Sequence, residues 1–205
     1  MKTENNTIRH YEKKAGILAG RYESANVDTL QHQLLSVLGN CSSIFELGCG
    51  SGRDAAFLLK HTEITNLVIT DGSEEMLAQA AILHPELIPY LKKLELPDGL
   101  KKDKAKFEGI YSIAALMHMT TANIKETLNR IAQSLTPNGI LFISVCTKRG
   151  EQPPDDHRTF TIKSSEWWTD QVEETGLNVT AATESIDGLS RAEARWLNIT
   201  AIKPN

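Results

Sequence analysis

The chain has 205 residues, of which 40% are hydrophobic and 23% charged, enough apolar mass for one core and one domain spanning 1–205. Its formal net charge of −4 argues against a broad phosphate-gripping surface, and no apolar run approaches the roughly 20 residues of a membrane span. The polar start "MKTENNTIRHYEKK" carries no secretory pattern, and Cys41, Cys49 and Cys146 lack paired spacing, so reduced thiols, no bound metal and a cytoplasmic setting are expected.

Residues 1–40 carry two helical patterns, around Tyr11 to Ala19 and Asp28 to Leu38, and read as a helical lid preceding the sheet. Residues 41–146 then alternate short apolar strands with amphipathic helices, the pattern of an α/β fold with a parallel sheet covered on both faces. The strand candidates are "SIFELG", "NLVITD", "IPYL", "FEGIYSIAAL" and "GILFISV". Ala55, Leu58 and Leu59 give the helix after the first strand a face for the sheet. Ser73 caps a helix over 73–83, with Glu74 and Glu75 in its first turn. Further on, Ile124, Leu128, Ile131 and Leu135 mark a crossover helix that "TPNG" stops. Residues 147–205 form a substrate-side segment: a helix from Ser164 to the Gly176 stop, then "NVTAATES" and "ARWLNITAIK" joined through "IDGLSRAE" as a closing hairpin. The lysines of "LKKLELPDGLKKDKAK" read either as a local basic rim or as a solvated loop.

Between the first strand and its helix stands "FELGCGSGRD", with Gly48, Gly50 and Gly52 at alternate positions. At the carboxyl edge of a parallel strand, such a loop lets a ligand lie flat on the main chain beside unpaired helix N–H donors. Asp71 ends the next strand, where a carboxylate can accept both hydroxyls of a ribose, so a nucleoside ligand follows from the pair. The third glycine falls one residue early for a dinucleotide fingerprint, Arg53 stands where a helix should pack closely, and no lysine follows as a phosphate loop requires. Glu46, just before the loop, suits a ligand with an ammonium group and would repel a pyrophosphate. S-adenosylmethionine has that ammonium.

From "YEKKAGILAGRY" through "ELGCGSG", "ITDGSEEMLAQA", "FEGIYSIAALMHM" and "LTPNGILFISV" to the closing hairpin, the chain resembles a class I S-adenosylmethionine-dependent methyltransferase. The resemblance implies a Rossmann-like, doubly wound, seven-stranded and mostly parallel sheet with an antiparallel last strand and helices on both faces. It further implies that Glu46, Gly48, Cys49, Gly50 and Gly52 hold the methionine part, and that Asp71 takes the ribose. Gly72, Ser73 and Met76 would line the adenosine. Ser112, Ile113 and Ala114 would lie beside the transferable methyl, and Tyr11, Arg21 and Tyr22 would fold over the cofactor. Two departures stand out: "KKLELPDGL" puts Leu94 or Glu95 where the family often has an adenine-binding aspartate, and "FE" replaces "FD" at Phe107 and Glu108. S-adenosylhomocysteine would be the product.

Methyl transfer from a sulfonium needs alignment above all, and a general base only where the nucleophile must lose a proton. His118, just past the fourth strand, is the candidate base; the competing reading is a hydrogen-bonded structural histidine. His157 and Arg158 lie beyond the fifth strand, and Arg191, Arg195 and Trp196 on the last hairpin, resembling a family subset in which arginine and tryptophan recur there. Arg158 and Arg191 could clamp a carboxylate or phosphate, and Trp196 either meets substrate or packs an edge strand. One of Trp167 and Trp168 should be core. The fourth strand ends in "SIAA", without the Asn/Asp-Pro-Pro-aromatic signature of base-amine methylation, so DNA is not an expected partner. A small-molecule acceptor is the first reading, RNA the second and a non-catalytic cofactor binder the third, in a monomer or homodimer.

Overall fold

The computed structural model describes residues 6–100 and 107–205. Its centre is β1, Ser43–Leu47, whose last four residues are buried, as a strand covered on both faces requires. β1 pairs in parallel with β2, Asn66–Asp71, on one side and with β4, Phe107–Ile113, on the other. β3, Leu91–Lys93, extends the sheet beyond β2, and β5, Leu135–Lys148, extends it beyond β4. β7, Arg195–Ile202, runs antiparallel to β5 and carries β6, Asn178–Ile186, on its outer edge. Among the described residues this gives one seven-stranded sheet in the order β3-β2-β1-β4-β5-β7-β6, with the last strand in sequence antiparallel. The strand order turns back at β1 and β4, so the crevice outside their carboxyl ends is where an open α/β sheet takes a ligand.

Side chains alternate across the sheet with period two, and each face has its own core. Ile110, Leu141, Ile143 and Val145 point to one face, where Ile124, Leu128 and Ile131 of α5 (Thr121–Ser134) and Trp168 and Val172 of α6 (Ser165–Glu173) cover them. Ile44, Ile69, Tyr111 and Phe142 point to the other, under Leu34 and Leu38 of α2 (Asp28–Leu38) and Ala55 and Leu58 of α3 (Arg53–His61). Trp168 is fully buried and Trp167 packs beside it. The remaining helices, α1 (Asn6–Glu23) and α4 (Glu74–Leu83), pack on each other through Ala15, Ala19 and Met76. Side-chain caps begin three helices: Ser73 accepts from Met76 N at 3.1 Å, Thr120 from Asn123 N at 3.3 Å and Ser164 from Trp167 N at 3.2 Å.

Two expected boundaries are corrected. "IPYL" is no strand: Pro85–Tyr90 forms a 3₁₀ turn, and pairing with β2 begins only at Leu91 opposite Ile69. Pro89 locks φ and has no N–H to give a ladder. Leu135 leaves the helix and opens β5 opposite Phe107, after which the pairing is interrupted and resumes at Gly109 and Ile140. The "TPNG" segment is thus an irregularity inside β5, with Asn138 at a φ of 59°, a conformation asparagine tolerates. Of the lysine-rich stretch at 91–106, residues 101–106 lie outside the described residues.

Candidate active site

The three glycines all sit at positive φ, 78° at Gly48, 57° at Gly50 and 84° at Gly52, and they serve different ends. A side chain at Gly48 would collide with the Ala115 methyl group, and one at Gly52 would come within 2.8 Å of Leu87 and 3.2 Å of Ala80. These two let neighbouring segments approach. At Gly50 a Cβ would meet only the Tyr22 ring at 3.5 Å and the Met76 methyl at 3.8 Å, ordinary contacts, so this position opens toward the cleft. The loop is anchored beneath: Gly48 and Cys49 N–H donate to Thr70 O at 2.8 Å each. Gly50 N–H donates to Asp71 Oδ2 at 3.0 Å, and Ser73 N–H to Asp71 Oδ1 at 2.9 Å. Each carboxylate oxygen keeps a second lone pair, the capacity to accept one further hydroxyl apiece. Burial raises the Asp71 carboxyl above its usual range, against the pull of those backbone N–H bonds.

Around this loop lies a cavity of about 230 Å³. One wall is formed by Gly48, Cys49, Gly50, Asp71, Gly72 and Ser73, with Leu94 also in the lining. Ile113, Ala114 and His118 continue the wall past β4. Tyr11, Arg21 and Tyr22 close it from α1, and Arg158 and Arg191 reach in from the loop after β5 and from the last hairpin. The sequence-expected residues Glu46, Gly52, Met76, Glu95, Ser112 and Trp196 do not line it. Ser112 is buried and donates to Leu47 O at 2.8 Å. Trp196 Nε1 donates to Asp187 Oδ1 at 2.9 Å, and so acts on the site through the partner of Arg191. Glu46, the fourth residue of β1, is 2% exposed, and its Oε2 has no hydrogen-bond partner among the described residues. Burial first, then the neighbouring Asp54 carboxylate, raise its pKa well above the usual range. A buried carboxyl with one unpartnered oxygen beneath the glycine loop can accept from a ligand bearing an ammonium group.

α1 is held over the cavity by polar contacts from several elements. Glu12 accepts from Glu74 N at 2.8 Å and Glu75 N at 3.3 Å, capping the N-terminus of α4 from outside. Arg53, paired to Asp54 at 2.8 Å, donates to Tyr22 O at 2.6 Å, and Thr7 Oγ1 accepts from Thr159 N at 2.9 Å. Inside this cap the Thr159 carbonyl, which can only accept, stands 2.8 Å from His118 Nδ1. Nδ1 therefore carries the ring proton, and Nε2 accepts from the Tyr11 hydroxyl at 3.2 Å. The Tyr11 oxygen accepts in turn from Tyr22 at 3.3 Å and from Arg158 Nη1 at 3.4 Å. Burial lowers the His118 pKa to about 4, so the ring is neutral at pH 7. Arg53, Asp54, Thr7, Ile8, Leu96, Ala115, Met117, Met119, Phe160 and Leu189 also line the cavity, and sequence reasoning did not single them out as site residues. Arg53 and Asp54 could have been found, since they follow the glycine loop at once. The others meet only through tertiary packing.

Residues 45–141 match a family model described as a methyltransferase domain. Over 135 residues the chain is 31% identical to the trans-aconitate 2-methyltransferase of Variovorax paradoxus (strain S110), an alignment covering 64% of this chain and 49% of that protein. The chain thus spans about half the length of this curated relative. Among solved structures it is similar to a chain of the complex between the Haloferax volcanii Trm112 methyltransferase activator and a methyltransferase, with a TM-score of 0.78 at 20% identity over 97% of this chain and 98% of that one. It is also similar to the Burkholderia thailandensis 1,6-didemethyltoxoflavin-N1-methyltransferase, solved with 1,6-didemethyltoxoflavin and S-adenosylhomocysteine, with a TM-score of 0.77 at 18% identity over 98% and 88% of the two chains. At these identities the structural likeness speaks for the fold.

Proposed function

We propose that the chain is a class I S-adenosylmethionine-dependent methyltransferase, a reading that the methyltransferase-domain match over 45–141 and the curated relative support, and that it transfers the methyl group of S-adenosylmethionine to a small-molecule acceptor. The observation that carries this reading is a cavity of about 230 Å³, partly covered by α1, with Tyr22 over Gly50 and Tyr11 beside it. A cavity capped in this way suits a small acceptor; an open basic cleft would have suited RNA. The name of the curated relative supports the small-molecule reading. RNA, the second reading of the sequence, is kept as an arm of the test. The cofactor supplies an electrophilic methyl carbon on a sulfonium, and the protein supplies position and exclusion of water.

Asp71, with one lone pair left on each oxygen, would accept the two ribose hydroxyls. Gly48, Cys49 and Gly50 would carry the methionine part, with Glu46 beneath them for its ammonium group. Leu94, Leu96 and Ile8 would face the base, since they are the apolar residues of the cavity beside Gly72 and Ser73. Ile113 and Ala114, at the end of β4, would border the methyl. His118 stands at the acceptor side as a neutral ring whose Nε2 already holds the Tyr11 proton donor, an arrangement for orienting Tyr11. The three cysteines are buried and free, which supports a reducing, cytoplasmic setting. The test is calorimetric titration with S-adenosylhomocysteine, followed by a screen with methyl-labelled cofactor against small-molecule fractions and RNA. Micromolar cofactor binding with label in small molecules is expected. Label in RNA alone would overturn the acceptor reading, and no cofactor binding would overturn the whole.

A further inference from the structure

Resting on the methyl-transfer reading above, we propose that the acceptor is a small carboxylate, anchored by Arg158 and Arg191 and methylated on oxygen to a methyl ester with no protein base taking part. The bases on the acceptor side of the cavity are each already hydrogen-bonded, and its two aspartates are held ionised by guanidinium groups. His118 gives its Nδ1 proton to Thr159 O and fills its Nε2 lone pair with the Tyr11 hydroxyl. Asp156 accepts from Arg158 Nε at 2.8 Å and from Nη2 at 2.7 Å, one bond on each oxygen. Asp187 accepts from Arg191 on both oxygens and from Trp196 on one. Although burial alone would raise it, the bonds from Arg191 hold the Asp187 carboxyl down at about 2. An amine or phenol acceptor would find only these weakly basic, guanidinium-paired carboxylates and the Tyr11-bonded His118 to take its proton.

The charges point the same way. Arg149 and Arg158 share the Asp156 carboxylate, and Arg191 pairs with Asp187. Arg149 lies with its guanidinium carbon 3.3 Å above the Phe160 ring, its Nη1 is buried without a hydrogen-bond partner, and its nearest carboxylate, Asp156, is 3.7 Å away. Arg158 and Arg191 both line the cavity, each fixed side-on by its own aspartate, and Arg191 Nη1 makes no hydrogen bond among the described residues. Planar donors already oriented are what a carboxylate needs for paired hydrogen bonds. Arg158 is also two hydrogen bonds from Tyr22, the residue over Gly50, so the anchor stands beside the cofactor cleft.

Base-free transfer balances for such an acceptor. A carboxylate oxygen lone pair forms the new C–O bond to the methyl carbon, the C–S bond breaks, and its electron pair returns to sulfur. One negative and one positive charge vanish together, giving a neutral ester and a neutral thioether, and no proton changes hands. The same transfer to an amine or phenol would release a proton, with only weakly basic, already paired groups beside it.

The test uses the full chain saturated with S-adenosylhomocysteine, titrated calorimetrically with acetate, benzoate, glutarate and tricarballylate, each beside its amide. At least one carboxylate should bind 10-fold or more tightly than its amide, and Arg158→Gln or Arg191→Gln should erase the preference. The two substitutions lie on different loops, so one folded variant suffices. With tritiated methyl donor, the preferred acid should yield label released as volatile methanol in alkali. Equal binding of acids and amides, or label held stably in alkali on an amine acceptor, overturns the proposal while leaving methyl transfer standing. Failure of S-adenosylhomocysteine itself to bind overturns both.

Discussion

Replacing Asp71 with alanine removes a carboxylate that serves the loop and the ligand at once, and the two effects can be sized separately. In the free protein Gly50 N–H and Ser73 N–H lose their acceptor. Both border the cavity, where water can replace the carboxylate, so the loss of stability should be about 1–3 kcal/mol in total. In the complex two hydroxyl-to-carboxylate bonds vanish, each worth roughly 1.5–3 kcal/mol. The sum, about 3–6 kcal/mol, corresponds to a Kd for S-adenosylhomocysteine raised about 10²- to 10⁴-fold. A loosened loop alone would also weaken binding, and a 2′-deoxy analogue separates the causes. Against wild type the analogue should bind at least 10-fold more weakly than S-adenosylhomocysteine; against Asp71→Ala the two should bind alike, because the partner of the missing hydroxyl is gone. Calorimetry on the folded variant reads both numbers. A Kd within threefold of wild type, or a deoxy penalty that survives the substitution, would refute the ribose assignment.

The glycines should separate by mechanism: Gly48→Ala sets a methyl group against Ala115 at positive φ and should lower the melting temperature, with partial recovery in the Gly48→Ala, Ala115→Gly double variant. Gly50→Ala meets only ordinary contacts, so it should cost about 1–2 kcal/mol of stability through its φ and weaken cofactor binding more than it weakens the fold. His118 has a folded-state pKa of about 4, lowered by burial, against about 6.5 unfolded, so as pH falls the unfolded state takes the proton first. Its contribution is complete above 6.5 and is lost from there down to about 4, so melting temperature should fall between pH 7 and 5 and fall less in His118→Asn. The raised carboxyls of Glu46 and Asp71 push the other way, which is why the difference between the two proteins is the quantity to measure; equal slopes would mean that His118 titrates normally.

The glycine loop, Asp71 and the closing hairpin were legible because each is a local geometry with a local chemical signature. Positive φ at alternate residues writes itself as Gly48, Gly50 and Gly52, and the antiparallel pair β6 and β7 writes itself as alternation around a turn. Where a residue's role depends on a partner far along the chain, the sequence was silent. Nothing near Arg53 announces that its guanidinium will hold the Tyr22 carbonyl, and nothing near Thr7 announces the Thr159 amide. Trp196 shows the converse: a large aromatic on a site hairpin suggests substrate contact, yet its indole N–H is spent on Asp187. Leu135 fits the helical period of Ile124, Leu128 and Ile131 and still belongs to β5, because its pairing with Phe107 outcompetes one more helical turn. Periodicity alone cannot rank those two.

The polar attachments of α1 bear on how such a site can work. α1 buries a small apolar set against α4, chiefly Ala15, Ala19 and Met76, while the sheet and its other helices share two large cores. Lifting α1 would therefore expose little apolar surface compared with opening either core, at roughly 25 cal/mol per Å². The hydrogen bonds of Glu12 to α4 and of Thr7 to the 159 amide would pass to water at little net cost. Segments with few apolar contacts and solvent-exchangeable bonds open at free energies well below global unfolding. A cavity whose cofactor lies under a helix needs such a hinge, because S-adenosylhomocysteine must leave after every turnover. The Tyr22–Tyr11–His118 chain ties that same helix to the acceptor side, so closing α1 brings Tyr11 into place opposite Arg158. On the methyl-transfer reading proposed above, capture of the cofactor and completion of the acceptor site would then be one movement.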